Sequence, residues 1–320
     1  MKKSFCCFVL VVLFMGMSVA QQFVPPPNKN AALRYWMSFA DLADRPTDDA
    51  TNKAIDDVLS GASAWDEQKL GPLVAANEAA VLSLQRATKL TECNWGLEYE
   101  RGSAMSLGHL PKARVIARLN ALYGARQLAK GDATGAVETW LAGLRFAQHA
   151  GKDVGLIGTL SAKPALMANL HLLYRAVQGG QVNAELQTKI RAQLQKLPSD
   201  GLDWTDSIRA EAWAGQAGLK DLALAQNFQE TYRAFFSNPP PGAAQPPSQA
   251  DINGYRNVMN EVLAAFQSPS AQTKERLTTI IAKVAGMNPA VQAVIPNYQR
   301  VNESRIQVAS EEQALLKSLK

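Results

Sequence analysis

Apolar residues return along this chain at intervals of three and four. Leu70, Leu73, Val74, Asn77, Val81 and Leu84 fall on one helical face, as do Val137, Trp140, Leu141 and Leu144. Leu166, Met167, Leu170, Leu173, Tyr174 and Val177 form a third stripe. Further on, Ile252, Tyr255, Met259, Val262 and Phe266 follow the i, i+3, i+7, i+10, i+14 series, and Leu277, Ile280, Ile281 and Val284 make a shorter one. A last long helix is predicted from Pro289 to near the C-terminus. No stretch alternates apolar and polar residues with the period of two that strands require. The pattern therefore predicts an all-α fold.

Proline divides the helices into groups. Eight of the 16 prolines lie in two places, Pro25-Pro26-Pro27 and the run between Asn238 and Gln249. Both read as extended connectors. The other eight stand mostly at spacings suited to helix starts. The predicted organisation is a Pro-rich leader at 21–30, a helical-hairpin domain at 31–237, a Pro-rich linker at 238–250 and a C-terminal helical segment at 251–320.

The first twenty residues read as a targeting segment. Lys2 and Lys3 precede an apolar run from Phe5 to Met15, and Ser18-Val19-Ala20 supplies the small residues a signal peptidase needs. The run is short of the ~20 residues that cross a bilayer. Cleavage between Ala20 and Gln21 is expected, with a mature protein in the periplasm or outside the cell and without a membrane span. Its 31 basic and 28 acidic residues give a net charge of +3, down from +5. Without a dense Lys/Arg run, that balance argues against nucleic acid as a partner. A hydrophobic content of 47 % excludes intrinsic disorder, and 7 % aromatics fit helices packed through small side chains.

One segment carries a recognisable pattern. Gly124, the Gly131-Asp132 turn, Ala136, Trp140 and Gly143 have the spacing of small and aromatic residues that lets two helices approach closely. Over about one repeat, residues 117 to 150, this resembles the tetratricopeptide repeat. It departs at Asn120, where Trp is usual, at Gln127, where an aromatic is usual, and at Gln148, where Pro is usual. The resemblance implies stacked antiparallel helical hairpins, TPR-like or α-solenoid-like. More broadly, the order of signal peptide, Tyr35-Trp36, Cys93-Asn94-Trp95-Gly96, Gly131-Asp132, Asn288-Pro289 and Ile295-Pro296 is similar to a group of exported helical proteins from environmental bacteria. That resemblance implies export and fold, and transfers no catalytic residue.

Candidate chemistry is sparse. His109, His149 and His171 have no second His or Cys at metal-ligand spacing, and Gly151 breaks the one acidic pairing, His149 with Asp153. We expect His171 to border the Leu170–Tyr174 stripe with its ring nitrogen satisfied. No metal, cofactor or catalytic residue is assigned. Cys93, the one cysteine left after cleavage, reads as a bridge between chains, a nucleophile or a small buried hydrophobe beside Trp95. The best candidate surface for a protein or peptide partner comprises Trp95, Glu98, Arg101 and Glu211. The competing expectation is a hydrolase of cell-wall or polysaccharide material using two carboxylates among Glu98, Glu100 and Glu211. A non-enzymatic helical scaffold in the cell envelope is the leading expectation.

Overall fold

The computed structural model describes residues 28–43, 48–99, 105–236 and 245–320. The segment expected to direct export, the prolines at 25–27, Glu100, Arg101 and the first part of the 238–250 run lie outside them. Every regular element among the described residues is an α-helix, and the sole extended pairing is an isolated bridge between Asn30 and Glu92. In order, these are α1 (Ala31–Ala40), α2 (Asp49–Leu59), α3 (Glu67–Ala76), α4 (Glu78–Ala87), α5 (His109–Ala129), α6 (Ala133–Gly151), α7 (Gly155–Gln178), α8 (Ala184–Leu194), α9 (Trp204–Leu224), α10 (Phe228–Phe235), α11 (Gln249–Phe266), α12 (Ser270–Val284), α13 (Pro289–Val294) and α14 (Tyr298–Ser318). None of the described helices is long and apolar enough to cross a membrane.

Short polar side chains, more than prolines, set the helix starts. Asn30, Asp48, Asp66, Asp132, Asn183 and Asp203 each accept a hydrogen bond from a first-turn N–H. Ser248 and Asp251 complete a reciprocal capping box on α11. Pro269, Pro289 and Pro296 do stand at helix entrances, but Pro72 and Pro164 lie inside α3 and α7. Each removes one N–H from its helix, and burial of the flanking apolar stripe outweighs that loss. Leu70 and Val74 beside Pro72, and Leu166 and Leu170 beyond Pro164, are fully buried.

Two predicted helices are divided. The stripe from Leu70 to Leu84 is broken at Asn77, whose backbone leaves helical geometry (φ −108°, ψ 8°). Its side chain donates to the Leu73 carbonyl and accepts from the Ala43 amide, so the break ties α3 and α4 to the segment after α1. The predicted helix from Pro289 stops at Val294, because a residue preceding proline disfavours the α region. Ile295 is extended, Pro296 follows, and α14 begins at Tyr298.

The centre of the molecule is α6, packed against α5 before it and α7 after it. A Cβ at Gly124 would lie inside the van der Waals radius of the Trp140 indole, and one at Gly143 would strike Asn169 on α7. Those two glycines allow the close approach. Gly131 makes the turn at φ 83°, a region open to glycine. Two of the three departures from the repeat pattern, Asn120 and Gln127, belong to a polar network. Asn120 donates to the Thr139 carbonyl, the Thr139 hydroxyl donates to Gln127, and the Gln85 amide donates to Asn120 and Thr139. Buried polar groups are tolerable because they satisfy one another.

Two apolar clusters fill the interior. The larger runs from Ile55 through Trp140 and Tyr255 to Leu319 and includes residues on both sides of the Pro-rich run. The C-terminal helices are seated in it: α14 packs on α7 and α11 on α9. Arg305 of α14, buried, donates to Asp200 at 2.5 Å and to the Ser268 carbonyl at 3.0 Å. The smaller cluster gathers α1, α4 and the starts of α5 and α7 around Tyr35, Phe39, Trp95 and Phe146.

Candidate functional site

Trp95 lies inside the smaller cluster. Its ring stacks on His109 (4.3 Å between centroids, 18°), runs parallel to Phe39 (6.2 Å, 1°) and lies near Tyr35 (5.7 Å). The indole N–H donates to the His149 carbonyl at 2.8 Å, and the Cys93 thiol is 3.8 Å from the same oxygen. Tyr35 OH and His149 Nδ1 are hydrogen-bonded at 2.7 Å. Both faces of Trp95 are thus occupied from within the protein. Cys93 is free and buried, and burial pushes its thiol up to about 12, so it is protonated at neutral pH. That matches the small buried hydrophobe among its three readings.

Burial also holds both imidazoles neutral. Desolvation lowers His109 to about 4, and burial with Lys152 and Arg145 nearby lowers His149 to about 4. His109 Nε2 is buried without a hydrogen-bond partner. So is His171 Nε2, where the sequence led us to expect a satisfied ring nitrogen. Among the described residues, no three His, Cys, Asp or Glu side chains gather to hold a metal.

Glu211 lies elsewhere, on α9. Its carboxylate accepts the Leu156 amide at 3.4 Å at the start of α7, and burial raises its pKa. Tyr99 approaches it from the segment after Trp95, donating to the Asp153 carbonyl at 2.9 Å and setting its ring edge-on to Trp213 at 6.5 Å. Tyr99, Glu211 and Trp213 line a crevice of about 60 Å³. That volume holds about two waters. Glu98, next to Tyr99, is exposed. The chain therefore brings the Glu98–Tyr99 segment beside Trp213 and Glu211 and leaves Trp95 in the interior.

His149 and Asp153 border a polar hollow of about 250 Å³ with Lys152, Lys196, Asp203 and Asp206. Asp203 is committed to capping α9, and Asp206 is paired with Arg209. The oppositely charged groups there offset one another.

Another concavity involves none of the sequence candidates. A cavity of about 690 Å³ opens between α2, α5, α6 and α7. Its floor is apolar and mostly methyl-sized, with Leu110, Ala113, Ala117, Phe146, Ala162 and Ala165. Arg114 and Arg118, one turn apart on α5, stand at its edge with Ser60, Ser161 and Asp56. Arg114 donates to the Ser161 hydroxyl at 3.1 Å and has no carboxylate partner among the described residues; Arg118 pairs with Asp56 at 2.6 Å. The sequence signal was the small residues at 113, 117, 162, 165 and 168, whose spacing keeps them on the facing sides of two helices. No family model, curated protein or solved structure matches this chain.

Proposed function

We infer that this chain is an exported, non-enzymatic helical scaffold that holds a protein or peptide partner in the periplasm or outside the cell. The observation that carries this reading is on α1. Leu33, Trp36 and Met37, spaced i, i+3, i+4, are 54, 40 and 62 % exposed, while Tyr35 and Phe39 are buried. Leu82 on α4, which packs along α1, is exposed as well. A stripe of large apolar side chains turned to solvent is the signature of a helix that docks against another chain. The near-neutral charge of the mature chain supports a protein rather than a nucleic acid in that role.

The export signal supports the compartment. The 117–150 pattern, with Gly124 fitted against Trp140 and Gly143 against Asn169, supports a TPR-like stack of hairpins as the frame that presents α1.

Site-specific photo-crosslinking in the producing cell tests the reading. A crosslinker at position 33 is expected to give one reproducible protein adduct, lost when Met37→Glu is added, while a crosslinker at the exposed Asp221 gives none. Equal labelling from both positions, or an adduct indifferent to Met37→Glu, would overturn it. Circular dichroism of the Met37→Glu chain is expected to be unchanged, because that side chain is mostly solvated.

A further inference from the structure

The cavity between α2, α5, α6 and α7 is independent of the α1 surface and has its own chemical character. Its size falls within the ~300–1,000 Å³ of small-molecule sites. Its lining is divided. The floor offers methyl groups and the Phe146 ring, which reward apolar burial, and the edge carries two guanidiniums against one carboxylate, Asp56.

The cation surplus falls on Arg114. Its one hydrogen bond to another side chain among the described residues goes to the Ser161 hydroxyl, which orients the guanidinium without neutralising it. Arg118 is shared with an exposed Asp56 in a pair that solvent weakens. A guanidinium with free N–H donors beside an apolar floor suits a molecule that is hydrocarbon at one end and anionic at the other. Carboxylate matches the planar donor fork, and the Ser60 and Ser161 hydroxyls stand at the same edge. We propose that this cavity binds an aliphatic monocarboxylate, with the hydrocarbon chain on the floor of Ala113, Ala117, Ala162 and Ala165 and the carboxylate on Arg114, assisted by Arg118.

The reading makes demands on the ligand. Affinity should rise about fourfold for each added methylene until the cavity is full, the increment expected for burying one CH₂. It should fall when the charge is removed or reversed at constant chain length.

Titration calorimetry on the purified chain, with octanoate, decanoate, decanol and decyltrimethylammonium below their micellar concentrations, tests this. Saturable one-to-one binding of decanoate is expected, weaker for octanoate and roughly tenfold or more weaker for decanol and the ammonium compound. Arg114→Gln should weaken decanoate by roughly tenfold, Arg114→Lys by less, and Asp56→Asn should tighten it by freeing Arg118. Ala168→Phe, which places a ring at a half-exposed lining position, should block binding while thermal unfolding shows the chain still folded. Equal binding of decanol and decanoate, indifference to both Arg114 and Asp56 variants, or undiminished binding to the Ala168→Phe chain would overturn the proposal. So would tighter binding of a peptide with a free apolar C-terminus than of decanoate, which would make the cavity a peptide site.

Discussion

At the scale of single residues, the most consequential group outside the cavity is Glu312. Burial, and secondarily the neighbouring Asp200 carboxylate, raise it from 4.5 to about 7. Asp200 in turn accepts a hydrogen bond from the buried Arg305. The sign follows from proton uptake. Unfolded, Glu312 ionises near 4.5; folded, it keeps its proton to about 7, so its contribution is fully present below 4.5 and is lost as pH rises through 7. Glu312→Gln is therefore expected to stabilise the protein by about 1–2 kcal/mol at pH 8 and to give no gain near pH 4.5. Urea unfolding of both chains at the two pH values measures this. An equal difference at both would show that the proton is not the cause.

Among the helices, one close constraint is the α5–α6 contact. Gly124→Ala puts a methyl group where the Trp140 indole lies, and is expected to cost about 1–3 kcal/mol. In a Trp140→Phe background the smaller ring leaves space, so the same methyl should cost less by about 1 kcal/mol or more in a double-mutant cycle. Additive effects would place the strain elsewhere. This contact was legible in the sequence because Gly124, Gly131, Trp140 and Gly143 are close in the chain and their sizes specify the fit. The helical class was legible from the apolar period. The breaks at Asn77 and Ile295 were not read from that period, since Asn77 lies on the same stripe as Val74 and Val81; its side-chain bonds to Leu73 and Ala43 decide the matter. The cavity was still less legible. Asp56, Arg114 and Ser161 sit on three different helices, and no spacing along the chain relates them. Trp95 drew notice as a surface anchor by residue type, whereas its neighbours Phe39, Tyr35 and His109, distant in sequence, enclose it.

Over the whole molecule, two apolar clusters share their border residues. Leu73, Tyr123 and Ala165 pack against both, and the larger cluster draws on helices before and after the Pro-rich run. The described helices therefore lack a seam across which one part could lose its packing without exposing the other. Calorimetry is expected to show one unfolding transition, with the same midpoint by Trp fluorescence and by far-ultraviolet circular dichroism. Two resolved transitions would show that the clusters melt separately.

The alanine floor of the cavity has a consequence for recognition. Alanine has no side-chain rotamers to lose, so a molecule settling on Ala113, Ala117, Ala162 and Ala165 finds a surface with almost no side-chain entropy to surrender. At the rim the two long arginine side chains are already engaged, Arg114 by Ser161 and Arg118 by Asp56. Selection by shape and selection by charge then belong to different parts of the wall: the floor is a fixed mould, and the rim holds the two guanidiniums. Closely related ligands that differ in their hydrocarbon part should therefore separate by the apolar area they cover, and those that differ in their head group by how fully they engage Arg114.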